Sequence, residues 1–451
     1  MGRRRVGKTF LIRKAYENHF DFQVTGMANV DLIQQLANFN TAFKKYFPST
    51  EGEIAADSWF NAFEQLAQAL EKKDDGKKYI FLDEMPWMDT PRSKFISALE
   101  HFWNSWASAR DDIILIVCGS AAGWMVNTLI NNTGGLHNRV THRIKLNPFT
   151  LKECEDFLVD KGGVFERYQI VQLYMAMGGI PFYLNKVDVG MSASQNINKL
   201  FFDPVGLLHN EFNNLYKSLF NNAENHISII ESLSKKNKGL TRQELIKESK
   251  IPMGTGGSIT RILNQLEESG FIRKYISYGK KERNSLYQLA DCYSLFYLKW
   301  IKNSSILDEN TWINELDSPA QKAWAGYAFE QVCLAHIRQI KHALGISGVQ
   351  TVTSSWVGTG PEKGAQIDLV IDRRDQVINI CEMKFSIHDF TINKKYASEL
   401  RDKISVFKQK TKTNKAIYIT FITTFGVNKN EYYGSLVQND LTMDILFADP
   451  A

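Results

Sequence analysis

The sequence predicts an α/β protein. A parallel sheet covered by helices comes first, then a helical segment, a small helix-rich unit closed by a hairpin, and a second α/β unit. Three observations carry this. KKYIFLDE (77–84) and DDIILIVCGS (111–120) are nearly continuous apolar runs rather than alternating ones, the pattern of strands buried on both faces. Between them, residues 90–110 place Phe95, Leu99, Phe102, Trp103 and Trp106 at helical spacing, so the order is strand–helix–strand. Near the carboxyl end, QIDLVID (366–372) and NICEMKF (379–385) repeat the apolar-strand pattern after the helix-like GYAFEQVC (326–333).

Composition bounds the rest. The 451 residues correspond to roughly two to four domains. A hydrophobic fraction of 44% and a charged fraction of 23% exclude a mainly disordered or fibrous chain. Lys and Arg number 54 against 49 Asp and Glu, a net charge of +5, which permits a nucleic-acid partner without requiring one. The five cysteines contain no CxxC pair, which argues against a zinc ribbon or a disulfide scaffold and for a reducing compartment. The longest apolar run, IILIVC (113–118), is far short of the roughly 20 residues that span a bilayer. The opening MGRRRVGKTF lacks the apolar stretch of a secretory signal. A cytoplasmic protein without a membrane partner is expected.

The expected boundaries are an α/β core at 1–150, a helical lid packed on it at 151–222, a third unit at 223–300, a polar linker at 301–318 and a last unit at 319–451. GRRRVGKT (2–9) fits the pattern G-x-x-x-x-G-K-[ST]. Gly2 and Gly7 let the backbone curl so that amide N–H groups face phosphate oxygens. Lys8 adds a point charge for the β- and γ-phosphates, and Thr9 a hydroxyl for Mg²⁺. The loop residues Arg3, Arg4, Arg5 and Val6, with Phe10 in the first turn of the next helix, complete the nucleotide-binding set, and that helix turns its positive end to the anion. YIFLDE (79–84) supplies the partner half: Asp83 at the end of a buried strand for the Mg²⁺ shell, and Glu84 one residue on to polarise the attacking water. Ser120 closes the next strand, where it either senses the γ-phosphate or caps a helix. In GGLHNRVTHRIKL (134–146), Arg139 either stabilises transition-state charge on a neighbouring subunit's nucleotide or is a surface or ion-pair arginine. Such a loop ordinarily follows a core strand, yet Gly2 follows only Met1. Either the chain is a fragment or mis-started, or the sheet lacks a central strand, which is expected to leave neighbouring backbone groups without partners.

With CGSAAGWM (118–125) and GGIPFYL (178–184), these motifs resemble the archaeal-type ATPases, a branch of the AAA-like P-loop NTPases, over roughly residues 1–220. The resemblance implies ATP and Mg²⁺ as cofactors, Lys8 and Thr9 at phosphate and metal, Asp83 and Glu84 as metal–water ligand and base, and Arg139 as an arginine finger given in trans within a homo-oligomer.

Residues 225–290 read as helix, helix, turn, helix and two strands around a charged turn, the order of a winged helix-turn-helix. Thr241 and Glu244 form a capping box. Ile259, Ile262, Leu263 and Leu266 face inward, and Gly270 ends the helix. Thr255, Ser258, Arg261 and Gln265, with Lys280, Lys281 and Arg283 in the wing, would face DNA, although Glu267, Glu268 and Glu282 oppose phosphate. A packing or protein-contact module is the alternative.

In the last unit Glu382 and Lys384 share one strand face. Asp368 joins them if the hairpin loop is odd, and lies opposite Cys381 if it is even. Asp368 and Glu382 would then hold Mg²⁺, Lys384 would orient water, and Glu330 would add an outer carboxylate. With the helix 398–409 and the strand 415–422, this order resembles the restriction-endonuclease-like, PD-(D/E)xK, superfamily, which many archaeal-type ATPases carry at this end. The sequence therefore reads as an ATP-hydrolysing P-loop protein acting on double-stranded DNA through a winged helix and a Mg-dependent nuclease-like domain. The alternative is a nucleotide-dependent DNA-binding regulator or scaffold without nuclease activity.

Overall fold

The computed structural model describes residues 1–48, 54–73, 76–132, 134–220, 222–249, 256–302, 310–358 and 365–450. The chain divides into two compact units, one of residues 1–147 with 217–221, the other of 148–216 with 222–451.

In the first unit, α1 (Lys8–Ala15) leads to β1 (Phe22–Thr25), α2 (Leu32–Tyr46), α3 (Trp59–Glu71), β2 (Lys78–Asp83), α4 (Phe95–Ser105) and β3 (Ile113–Val117). The sheet order is β1-β2-β3, and both pairings are parallel. The strand expected at 77–84 is thus central, and Ile80, Phe81 and Leu82 are buried. β1 was not among the expected strands: FQVT is too short to show a period. Register aligns Thr25 with Asp83 and Leu82 with Val117, so the strands end together at one edge. Capping boxes or caps start α2 at Asp31 and α3 at Ser58. Phe95 of α4 is fully buried, with Trp59 edge-on at 4.9 Å and Phe63 at 5.9 Å between centroids.

β3 is one of the two outer strands. Alongside it runs a cleft of about 500 Å³, walled by Ile114–Cys118 on one side and Arg139–Ile144 on the other. At its end the Met1 ammonium donates to the Ile144 carbonyl at 2.7 Å, and the Leu146 amide to the Met1 carbonyl at 2.8 Å.

The second unit begins with α5 (Leu151–Asp160) and α6 (Arg167–Met177). A lid packed on the parallel sheet was expected here. These helices share a core with the carboxyl-terminal half: Tyr168 of α6 stacks on Phe385 at 5.2 Å, and Tyr174 meets the His336 ring at 5.5 Å. Tyr183 meets Tyr293, Phe201 meets Phe296 at 4.4 Å, and Phe296 meets Trp324. The Leu151 amide donates to Nε2 of His336 at 3.0 Å while Nδ1 faces the Val332 carbonyl at 2.8 Å. Burial lowers the pKa of His336 and so favours the neutral ring that can accept this bond.

Next come α7 (Ala223–Ser234), β4 (Leu240–Thr241), α8 (Arg242–Glu248), α9 (Gly256–Glu268), β5 (Ile272–Tyr275) and β6 (Leu286–Leu289), with an antiparallel sheet ordered β4-β6-β5. The Thr241–Glu244 capping box is present, and Ile259, Ile262, Leu263 and Leu266 are buried as expected. Thr255 and part of the expected linker lie outside the described residues. After α10 (Cys292–Phe296) and α11 (Pro319–Ala335), a mixed sheet is built from β7 (Thr351–Gly358), β8 (Ala365–Arg373), β9 (Val377–Lys384), β10 (Ala416–Thr423) and β11 (Asn439–Thr442). Its order is β11-β10-β9-β8-β7, with α12 (Lys394–Thr411) crossing between the parallel strands β9 and β10. All five cysteines are free and buried. Among the described residues no helix is long and apolar enough to cross a membrane.

Replacing Phe95 by Ala removes a fully buried ring from the first core. We expect a loss of about 3–5 kcal/mol, read in urea unfolding followed by tryptophan fluorescence. A loss below about 1 kcal/mol would contradict the packing.

Candidate functional site

The loop of residues 2–7 curls before α1. Gly7 caps that helix with φ +86°, ψ +16°, a conformation that disfavours any side chain. A Cβ on Gly2 would lie 2.4 Å from the Leu146 carbonyl oxygen. Lys8 is buried, and its ammonium closes back on the loop by donating to the Arg3 carbonyl at 2.8 Å. Burial lowers the Lys8 pKa, while Glu84, Cys118 and Asp83 act to raise it, so the sequence-distant acids lie within its electrostatic reach. Of the remaining loop residues, Arg3 and Val6 are buried, Arg4 is exposed and Arg5 half-buried; the Phe10 side chain is exposed, which leaves its place in the helix start as its link to the site.

Asp83 is buried where β2 ends. Its Oδ2 accepts the Thr9 hydroxyl at 2.9 Å and its Oδ1 accepts the Glu84 amide at 2.9 Å. Thr9 and Asp83 therefore present two hard oxygen donors side by side, a set that fits Mg²⁺, which takes one or two protein oxygens and completes its shell with phosphate and water. Glu84 sits at φ +46°, ψ +44°, an uncommon conformation for a side-chain-bearing residue. Its Oε2 accepts both the Ser120 amide at 3.0 Å and the Ser120 hydroxyl at 2.8 Å. Ser120, expected as a phosphate sensor or helix cap, engages Glu84, a pairing the sequence gives no spacing to reveal. Burial pushes the neighbouring Cys118 thiol up to about 12, keeping it protonated. Arg139 is exposed and lines the same cleft as Lys8.

In the second unit β8 and β9 pair with Leu369 opposite Cys381 and Asp372 opposite Ile378. Arg373 belongs to the strand, so the loop is the odd one of residues 374–376, with Gln376 at φ +67°. One further step of this register sets Asp368 opposite Glu382, on the face shared by Lys384. Glu382 is buried. Its Oε2 accepts the Tyr396 hydroxyl at 2.7 Å, its Oε1 pairs with Lys403, and the Lys384 ammonium lies 3.7 Å away. Tyr396 and Lys403, both on α12, were not singled out from the sequence. Asp368 accepts from Gln366 at 2.7 Å. Among the described residues no group of three or more His, Cys, Asp or Glu is placed to hold a metal. Both oxygens of Glu382, the carboxylate expected to bind Mg²⁺ with Asp368, are thus engaged by a phenol and an ammonium.

Glu330, on α11, has its pKa pushed up to about 8, first by burial and next by Asp368 and Glu382, against Lys384 and Lys403. Of the residues expected to face DNA, Ser258 is half-buried, and Arg261, Lys280, Lys281 and Arg283 are exposed. Gln265 is turned partly inward, its Oε1 at 3.0 Å from His226 Nε2, which removes it from the outward set.

An acid whose pKa is raised on folding keeps its proton while the unfolded chain loses it. Glu330 therefore stabilises less as pH climbs from about 4.5 to about 8, and levels off above. Glu330→Gln removes this slope. The thermal midpoint of the variant minus that of the parent should be larger at pH 9 than at pH 5; an equal difference at both would contradict the assignment.

An uncharacterized protein of Methanocaldococcus jannaschii is 26% identical over 342 residues, 73% of this chain and 70% of that protein. Among solved structures, the Walker-type ATPase of Pyrococcus abyssi aligns with a TM-score of 0.46 at 16% identity, covering 66% of this chain and 89% of that one. The ORC2 protein of Aeropyrum pernix, solved as ADPNP–ADP complexes, gives 0.39 at 11% identity, with 66% and 84% covered. Residues 1–187, which contain Lys8, Thr9, Asp83, Glu84, Ser120 and Arg139, match the model of a family described as an ATPase domain predominantly from Archaea.

Proposed function

We propose that the first unit binds Mg-ATP and hydrolyses it. The observation that carries this reading is the 2.9 Å bond between Thr9 and Asp83, which joins the phosphate-loop end to the acidic strand end. The match of residues 1–187 to an ATPase domain supports it. Bound there, Mg²⁺ would neutralise charge on the phosphates; the loop backbone from Gly2 to Gly7 and the Lys8 ammonium grip the same oxygens. Glu84 takes the proton of the attacking water as its oxygen bonds to the γ-phosphorus and ADP leaves. Ser120 acts through Glu84 by holding its carboxylate. Arg139 acts on the nucleotide of a second copy in a homo-oligomer, which its exposure allows. The protein works in the cytoplasm on this reading.

The second unit is the part that meets DNA. Its three helices and three-stranded sheet over 223–289 support a winged helix, with Lys280, Lys281 and Arg283 exposed on the turn between β5 and β6. The order of α11, β8, β9, α12 and β10 supports a restriction-endonuclease-like frame. The Lys403 and Tyr396 bonds to Glu382 favour binding without cleavage, the regulator reading, over a Mg-dependent nuclease.

Phosphate release tests the first reading. Lys8→Ala and Glu84→Gln should each lower turnover by about 100-fold or more, and Ser120→Ala by less. Arg139→Ala should lose turnover alone and regain part of it when mixed with Glu84→Gln, whose arginine is intact. Unchanged turnover in Lys8→Ala contradicts the assignment.

A further inference from the structure

Glu84 leaves β2 at φ +46°, ψ +44°. A side-chain-bearing residue holds such a conformation only where its surroundings impose it. The segment that follows is built to do so. Met85–Trp87 make one helical turn, in which the Trp87 amide donates to the Glu84 carbonyl at 3.0 Å and the Met88 amide to the Met85 carbonyl at 2.9 Å. In so short a turn, fixing the far end fixes the start.

The turn is tied on both sides. Towards β1, the buried Gln35 side chain donates to the Trp87 carbonyl at 2.7 Å and to the Met27 carbonyl at 2.6 Å. Towards β3, the Met85 amide donates to the Cys118 carbonyl at 2.9 Å. Gly119 lies so close to Pro86 that a Cβ on the glycine would sit 2.6 Å from the proline Cδ. At the far end, Trp124 Nε1 donates to Asp89 Oδ2 at 3.1 Å. Asp89 is half-buried. Burial raises its pKa, and the indole N–H acts against that. A carboxylate kept from water with a single neutral donor costs stability, so packing alone gives no reason for an acid at this place.

The segments leaving β2 and β3 are therefore joined twice, by Glu84 with Ser120 and by Asp89 with Trp124. We infer that Asp89 is a positioning residue for hydrolysis: anchored on the Trp124 indole, it fixes the far end of the turn and so holds Glu84 in the conformation from which its carboxylate meets Ser120. The inference rests on the reading of Glu84 as the base and adds the device that keeps that base in place. The Thr9–Asp83 and Lys8–Arg3 bonds do not pass through Asp89, so nucleotide binding survives its loss while turnover falls.

The test is steady-state phosphate release from Mg-ATP by the full chain, with kcat and KM taken separately and thermal midpoints compared. Asp89→Ala removes the acceptor, and Trp124→Phe keeps a ring but removes the donor. Each should lower kcat about tenfold and leave KM within about twofold of the parent. Asp89→Asn keeps an acceptor oxygen and should retain about half of the parent kcat or more. The double variant Asp89→Ala/Trp124→Phe should fall no more than about twofold below either single one. Parent-like kcat in Asp89→Ala and in Trp124→Phe would overturn the inference and leave the ATPase reading standing. So would an Asp89→Asn that falls as far as Asp89→Ala, since charge and not the bond to Trp124 would then matter. A raised KM at unchanged kcat would mark a nucleotide contact and would also overturn it. If Asp89→Ala does not fold, Asp89→Asn and Trp124→Phe decide the matter by the same criteria. A parent chain that releases no phosphate would remove the ATPase reading and this inference with it.

Discussion

The first unit depends on one short contact: the Thr9 hydroxyl on the Asp83 carboxylate, 2.9 Å apart across 74 positions of sequence. Everything around it serves to make that contact available. β2 is buried between two parallel neighbours, so its last residue is fixed at the sheet edge. Gly7 takes a left-handed conformation so that α1 can begin with Lys8 and Thr9 turned to that edge. A carboxylate this buried needs donors, and Asp83 has them in Thr9 and in the Glu84 amide.

The consequence for Glu84 is geometric. The chain leaves β2 in a left-handed turn, and the Glu84 side chain reaches the end of β3, where the Ser120 amide and hydroxyl hold one of its oxygens. Two neighbouring strand ends thereby fix two carboxylates with different duties: Asp83 beside the phosphate loop, Glu84 pinned one strand over. Because β2 and β3 are parallel and in register, this arrangement follows directly from topology.

How far the sequence carried depended on the kind of signal. β2, β3 and α4 were legible because continuous apolar runs and helical spacing are local patterns. The loop at 2–9 was legible because its pattern, G-x-x-x-x-G-K-[ST], is contiguous in sequence. β1 was hidden by its four-residue length. The partners of 151–216 were hidden because helical periodicity shows that a face is buried, not which partner buries it; Tyr183 with Tyr293 and Phe201 with Phe296 supply them through aromatic contacts about a hundred residues apart. The Asp368–Glu382 pairing turned on whether Arg373 belongs to the strand or the loop, a one-residue matter that hydropathy does not settle. The Lys403 and Tyr396 bonds to Glu382 depend on how α12 lies over β9, and no spacing in the sequence encodes it. That contact bears most on the carboxyl-terminal site, since it engages both oxygens of Glu382.

The most direct measurement of the central contact is a calorimetric double-mutant cycle on Mg-ATP binding, using Thr9→Val, Asp83→Asn and the two combined. If the two side chains act as one unit, each single variant loses the Mg²⁺-dependent part of the affinity and the double variant loses little more than either. Losses that simply add, or a parent chain whose ATP affinity is indifferent to Mg²⁺, would contradict the account.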